Sequence, residues 1–285
     1  MSGARSAAAS RSEAGGARRP FAFLVLLWAA LAAALSFLAL PIIAIFVDTT
    51  PGELISSLGE PESREALWLS LRTSVTALAI IVLFGTPVAY LLATRNFRGR
   101  ELVTTLIELP LVLPPAAAGI GLLAAFGPQG ILGEALADAG IEIALTTTAV
   151  VVAMTFVAAP FYLRQAQAAF AAVDPTLIDA ARTLGAGEAR AFVRVAIPNA
   201  GPGISAGLAL AWGRALGEFG ATLMFAGSFA GITQTVPLAI FSEFTRDFPA
   251  ALALSAVLVA VSGALLLSVK LLGRSPLLGG AYPQG

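Results

Sequence analysis

The 285-residue sequence contains no cysteine and no histidine. The first absence excludes disulfides, thiolate metal sites and cysteine nucleophiles. The second excludes an imidazole base, a Ser–His–Asp triad and His-ligated metals. Lysine occurs once, at Lys270, and Leu271 and Leu272 follow it. The phosphate-binding pattern GxxxxGK[ST] therefore cannot form, and the chain carries no Walker-type ATPase of its own. Charge is scarce as well: Asp, Glu, Lys and Arg make up 12% of the residues, against about 25% in soluble domains. Seventeen basic and seventeen acidic side chains cancel, so the basic excess of a nucleic-acid binder is missing. No metal, no cofactor and no catalytic residue are expected.

Apolar residues fill the place that charge leaves. They reach 58%, above the roughly 45–50% of soluble domains, and a soluble protein of this kind with no net charge would precipitate. A bilayer core takes about 20 apolar residues as helix. Six stretches qualify: residues 21–47, 73–93, 102–126, 146–163, 201–226 and 249–269. Arg18 and Arg19 precede the first, as in a signal peptide. Its apolar run exceeds the roughly 7–15 residues of a signal core and ends in no small-residue cleavage site. It reads as a retained helix.

The basic residues sort by loop. The N-terminal tail holds Arg5, Arg11, Arg18 and Arg19, and the loop after the second span holds Arg95, Arg98 and Arg100. The segment after the fourth span holds Arg164, Arg182, Arg190 and Arg194, and Lys270 and Arg274 follow the sixth. The remaining loops carry only Arg64, Arg72 and Arg246 beside ten acids, among them Asp48, Glu53, Glu60, Glu62, Glu65, Glu134 and Asp138. Basic loops stay in the cytoplasm. The expected protein is all-α and polytopic, with six transmembrane helices in the plasma or inner membrane and both termini cytoplasmic. Residues 21–272 form the membrane domain, between a disordered cytoplasmic tail at 1–20 and a second cytoplasmic tail at 273–285.

Residues 164–198 are too polar to span and too long for a tight turn. Asp174-Pro175 reads as an N-cap followed by proline at the first helical position. A short helix then runs to about Leu184, with Gly185 as its left-handed stop. Leu177, Ile178, Ala181 and Leu184 recur at helical spacing. Gly187 can start a second helix that ends at Ile197-Pro198. Two short helices of this kind make a cytoplasmic knob, able to lie on headgroups or dock into a partner.

Asp179-Ala180-Ala181, three residues, Gly185, nine residues and Val195-Ala196-Ile197-Pro198 together resemble the EAA loop of ABC importer permeases, E-A-A-x3-G-x9-I-x-L-P. Asp179 stands for Glu, Val195 for Ile and Ile197 for Leu, so the carboxylate and the apolar character persist. Residues 84–90, 109–115, 216–227 and 233–240 are similar to the molybdate branch of that family, and sulfate permeases share part of these motifs. The resemblance implies a type I ABC importer permease fold that moves molybdate or tungstate inward by alternating access. It also implies a homodimer, two separate ATPase subunits and an extracytoplasmic oxyanion-binding protein. Asp179, Ala180, Ala181, Gly185, Ile197 and Pro198 would couple the chain to the ATPase. A sulfate or thiosulfate permease is the alternative within the class. An ATPase-independent transporter or channel is the alternative outside it, and leaves the knob without a purpose. Proton coupling usually leaves chains of buried Asp, Glu or His, which a sequence without histidine and with few membrane carboxylates does not offer.

Arg214 and Glu218 fall inside the fifth span, four residues apart and so on one face of a continuous helix. Either charge alone at mid-bilayer is expensive; paired and facing a bundle interior, both are tolerable. They read equally as a packing ion pair or as part of the outer gate of a translocation path. Pro110, Pro114 and Pro115 should bend or break the third span. Such breaks survive only where protein or a water-filled cavity satisfies the backbone, so spans three and five are the candidate path, with Arg214, Glu218, Pro114 and Pro115 along it. Glu108 is expected to reach Arg95, Arg98 or the membrane interface. Gly119, Gly121, Gly213, Gly217 and Gly220 are expected to permit close helix approach at a dimer axis.

Overall fold

A computed structural model describes residues 19–273, which form helices and, among the described residues, no strand. The terminal tails expected at 1–20 and 273–285 lie outside them, apart from Arg19, Pro20 and Gly273 at helix ends. The chain divides into two units, residues 1–50 and residues 51–285. The first contains α1 (Arg19–Val47). The second contains α2 (Pro51–Gly59), α3 (Pro61–Thr94), α4 (Arg100–Val112), α5 (Pro115–Phe126), α6 (Gly133–Asp138) and α7 (Thr147–Ala171). It continues through α8 (Pro175–Thr183), α9 (Glu188–Ala191), a π-helical turn (Phe192–Ala196), α10 (Ile197–Leu216), α11 (Gly220–Ala226), α12 (Val236–Phe244) and α13 (Phe248–Gly273).

In α1, large apolar side chains are exposed on every face, Trp28, Phe37 and Leu38 among them. A helix that is apolar all round belongs in a hydrocarbon environment. Four helices are individually long and apolar enough to cross a bilayer: Phe23–Val47, Pro61–Thr94, Thr147–Ala171 and Phe248–Val269. The pair α4 and α5 supplies a fifth if it counts as one crossing, but the two are bent by 118°. In α10, Asn199, Ser205, Arg214 and two prolines dilute the apolar run.

Helix α7 is the axis of the second unit. It packs along α3 and α10 through small buried side chains, Ala149, Ala153, Ala158 and Ala166. Small residues let backbones approach closely, which drives helix association where there is no hydrophobic effect. Several polar groups inside this core pair between helices, while the Thr222 and Thr235 hydroxyls are buried without a partner. The Thr86 and Tyr162 hydroxyls lie 2.6 Å apart, Trp212 Nε1 donates to Ser74 Oγ at 3.1 Å, and the Val236 amide donates to Ser70 Oγ at 2.8 Å. Each bond joins two different helices, so polarity here also fixes register.

Several helices outrun the apolar stretches that mark them. Helix α3 starts at Pro61, with Pro in the first turn where a missing N–H costs nothing. Its 34 residues span roughly 51 Å against a hydrocarbon core of about 30 Å, so polar Glu62, Arg64 and Glu65 ride on an extension of the span. Helix α7 follows its N-cap Thr146 and runs on to Ala171, so residues 164–171 continue the helix beyond its apolar stretch. The fifth stretch, 201–226, is not one helix. It breaks at Gly217–Phe219, between α10 and α11.

Candidate functional site

Two regions carry the expected functional residues. At one end, α8 projects beside the C-terminal ends of α3 and α7. Asp174 Oδ1 accepts the Thr176 amide at 2.9 Å, and Pro175 takes the first helical position, as its residue types require. That N–H bond holds the Asp174 carboxyl below its usual range. The helix closes with the Gly185 amide on the Arg182 carbonyl and the Ala186 amide on the Ala181 carbonyl, each at 2.9 Å. This paired closure needs a left-handed residue, and Gly185 sits at φ +86°. Asp179, Ala180, Thr183 and Gly185 are exposed, and Leu184 stands out with 88% of its surface open. Ile178 and Ala181 face inward.

Beneath α8, Tyr90, Phe170 and Phe192 form an aromatic triangle with ring centroids 4.7–6.0 Å apart. It joins the ends of α3 and α7 to the π turn. A groove of about 330 Å³ opens between two of these rings, Tyr90 and Phe170, and α8. Glu188 bridges Arg95, at the end of α3, and Arg182, on α8, while Arg182 also reaches Asp179 at 3.5 Å. These side chains are largely exposed, so the network orients more than it stabilises. Glu188 gives no periodic signal in the sequence and is missed by it.

The second short helix does not end at Ile197-Pro198. After four residues of α9, the backbone widens into the π turn and passes directly into α10. A proline at 198 cannot donate to the carbonyl one turn back, and its ring crowds that turn. The wide turn relieves the crowding: the Ile197 amide bonds to the Phe192 carbonyl, five residues back. Asn199 Nδ2 takes up the Val195 carbonyl at 2.7 Å. Ile197 and Pro198 thus begin a long helix rather than closing a short one. Glu108 pairs with Arg164 on α7 at 3.3 Å, and not with Arg95 or Arg98. The helix extension to Ala171 is what carries Arg164 within reach.

The second region is a meeting of two helix breaks. Pro114 and Pro115 separate α4 from α5, with Leu113 held extended by the proline after it and Pro115 at the first position of α5. Opposite, α10 stops at Leu216 and α11 resumes at Gly220. The breaks touch: a Cβ on Gly220 would lie 2.7 Å from Pro115 Cβ, and one on Gly119 would lie 2.6 Å from the Ala221 carbonyl oxygen. These two glycines therefore serve packing within the chain.

Glu218 lies in the break and not on a continuous helix with Arg214, yet the two still pair, Nη1 to Oε2 at 2.7 Å. Its side chain has no exposed surface, and that of Arg214 has 27%. The other carboxylate oxygen, Oε1, accepts the Ala221 amide at 2.7 Å, supplying an acceptor to the first turn of α11. The Glu218 amide bonds back to the Ala215 carbonyl at 3.1 Å. One residue thus closes one helix with its amide, and with its carboxylate starts the next and neutralises an arginine. Thr222, one turn on, is also fully buried. Among the described residues no group of His, Cys, Asp and Glu is placed to hold a metal.

Apolar helices long enough to span, a projecting short helix with an open face and paired breaks inside the bundle are those of a polytopic membrane protein. Residues 85–275 match the family described as binding-protein-dependent transport system inner membrane component, and the chain belongs to that family. It is a multi-pass membrane protein. It is 41% identical over 245 residues to the molybdenum transport system permease protein ModB of Mycobacterium bovis, covering 86% of this chain and 92% of that protein. It is 37% identical over 213 residues to the sulfate transport system permease protein CysT of Escherichia coli K12, covering 74% and 77%. Its fold is similar to that of a chain in the crystal structure of a bacterial alginate ABC transporter, with a TM-score of 0.72 at 17% identity over 92% of this chain and 97% of that chain.

Proposed function

We propose that the chain is the permease subunit of an ABC importer that carries molybdate or tungstate into the cytoplasm by alternating access. The observation that carries the reading is the 41% identity to a molybdenum permease across nearly the whole length of both proteins. In this reading the bundle makes six crossings with both termini inside, α10–α11 and the bent α4–α5 pair each counting as one. The chain forms a homodimer and receives the oxyanion from an extracytoplasmic binding protein. Two separate ATPase subunits supply the energy, since the single lysine forbids a phosphate loop here. They dock on the open face of α8, through Asp179, Ala180 and Gly185, while Ala181, Ile197 and Pro198 hold that face in place.

Arg214, Glu218, Pro114 and Pro115 form the gate. Two breaks packed against each other give a place where the helices can bend without losing backbone hydrogen bonds. The decisive measurement is ATP-dependent uptake by the reconstituted complex with molybdate, tungstate and sulfate in competition. Molybdate and tungstate should displace each other and sulfate should compete weakly. Preferred sulfate uptake would move the chain to the sulfate branch, to which it is 37% identical. Uptake without the ATPase would overturn the reading altogether.

A further inference from the structure

Arg214 differs from the other paired arginines of the chain. Arg95, Arg164, Arg182 and Arg246 meet carboxylates that keep 24–72% of their side-chain surface open, whereas the Glu218 side chain has none. The pairing is nevertheless incomplete on the arginine's side. Glu218 offers one oxygen to Nη1, because the other is committed to the Ala221 amide. A guanidinium has five N–H donors in a planar fork. Its remaining donors have no hydrogen-bond acceptor among the described residues, and 27% of the side chain is open.

What that open side faces can be read along α10. Pro202, Ala206, Leu210 and Gly217 are exposed and recur at helical spacing, with Arg214 partly exposed beside them. The other faces of α10 are occupied by α7, α13 and α3. The stripe bears no other charge, and small residues leave room beside it. Under the gate reading, a tetrahedral dianion moving along the stripe would meet one cationic group, whose free donors match two of its oxygens.

Resting on the gate reading above, we infer that Arg214 is the transient contact for the oxyanion inside the membrane, and that Glu218 is its built-in competitor. The oxyanion binds the free edge of the guanidinium. Glu218 keeps the arginine partly neutralised, so the contact stays weak enough to release. The same carboxylate caps α11, which ties the strength of the contact to the conformation of the break.

Glu218→Gln separates these roles: its amide oxygen can still accept the Ala221 N–H, while its NH2 takes the place of the oxygen that faces Arg214 and removes both counter-charge and acceptor from the arginine. The test uses the full complex of permease, ATPase and binding protein in vesicles, with radioactive molybdate as probe. Uptake, ATP hydrolysis and molybdate retained after arrest with vanadate are measured together. Glu218→Gln should retain several-fold more molybdate than the parent and turn over roughly tenfold more slowly, as expected when a ground-state contact is strengthened. Arg214→Met should retain little molybdate and import it poorly while still hydrolysing ATP.

Arg214→Lys keeps the ion pair but lacks the fork, and should fall between the parent and Arg214→Met at an unchanged melting temperature. If Arg214→Met fails to assemble, Arg214→Lys with parental retention and uptake overturns the inference. Parental retention in Glu218→Gln also overturns it. If those variants leak or hydrolyse ATP without transport while retention is unaltered, the gate survives and the contact does not. If uptake and ATP hydrolysis are both unaltered, gate and contact fall together.

Discussion

The projecting helix α8 and the paired helix breaks each hold a carboxylate against an arginine, in opposite settings. Around α8, Glu188, Arg95, Arg182 and Asp179 are largely open to solvent, and Glu188 and Arg182 each have two partners. In the breaks, Glu218 is sealed, and each of its oxygens has one task. The exposed network tolerates loss because water replaces any missing partner. The sealed pair tolerates it less, because removing one member leaves the other without its counter-charge in a low-dielectric interior. In the proposed docking, a surface that meets and leaves a partner is thus built from replaceable contacts, and a joint within the bundle from irreplaceable ones.

That contrast is open to direct attack. The largest effect is expected from Glu218→Ala, which deletes the cap of α11 and the counter-charge of Arg214 together. Loss of roughly 3–5 kcal/mol should appear as poor accumulation in the membrane and a markedly lower melting temperature in detergent. A melting temperature within a degree of the parent would erase the distinction between the regions. A smaller, local effect is expected from Gly185→Val, where a β-branched residue would have to adopt φ +86°. Strain of about 1–2 kcal/mol per left-handed residue should unwind the end of α8. Membrane insertion should persist while ATP-driven uptake is lost, and normal uptake would mean that this turn does not shape the docking face. The smallest effect is expected from Glu188→Gln, a change of no more than about 1 kcal/mol in stability. A loss as large as that of Glu218→Ala would show that the exposed network bears structural weight after all.

Much of α8 is legible in the sequence because its determinants are neighbours in the chain. Asp174-Pro175 opens the helix and Gly185 closes it through backbone preferences that act within one or two turns. The break at Pro114-Pro115 is legible for the same reason, since proline removes a donor wherever it stands. The break at Gly217–Phe219 is not, because its helix end depends on Glu218 finding Arg214 and the Ala221 amide in a buried place. Hydropathy sees one apolar stretch there, and a spacing of four suggests one helical face. The pairing of Glu108 with Arg164 escapes for a related reason: it requires α7 to continue past its apolar stretch. Pro198 misleads in the other direction. A proline at a helix interior normally marks an end, yet the wide turn before it lets the helix continue.

That wide turn sets an angle. A π turn holds one residue more than the α-helical path requires, and one residue is about 100° of rotation about a helix axis. Everything downstream of Ala196 is therefore clocked by that amount relative to an unbroken α-helix starting at Glu188. Removing one residue from Phe192–Ala196 would leave Arg214 on its present azimuth, whereas removing one from the regular turns of α10 would swing it away from its stripe. The extra residue thus sets the azimuth of Arg214 relative to α9.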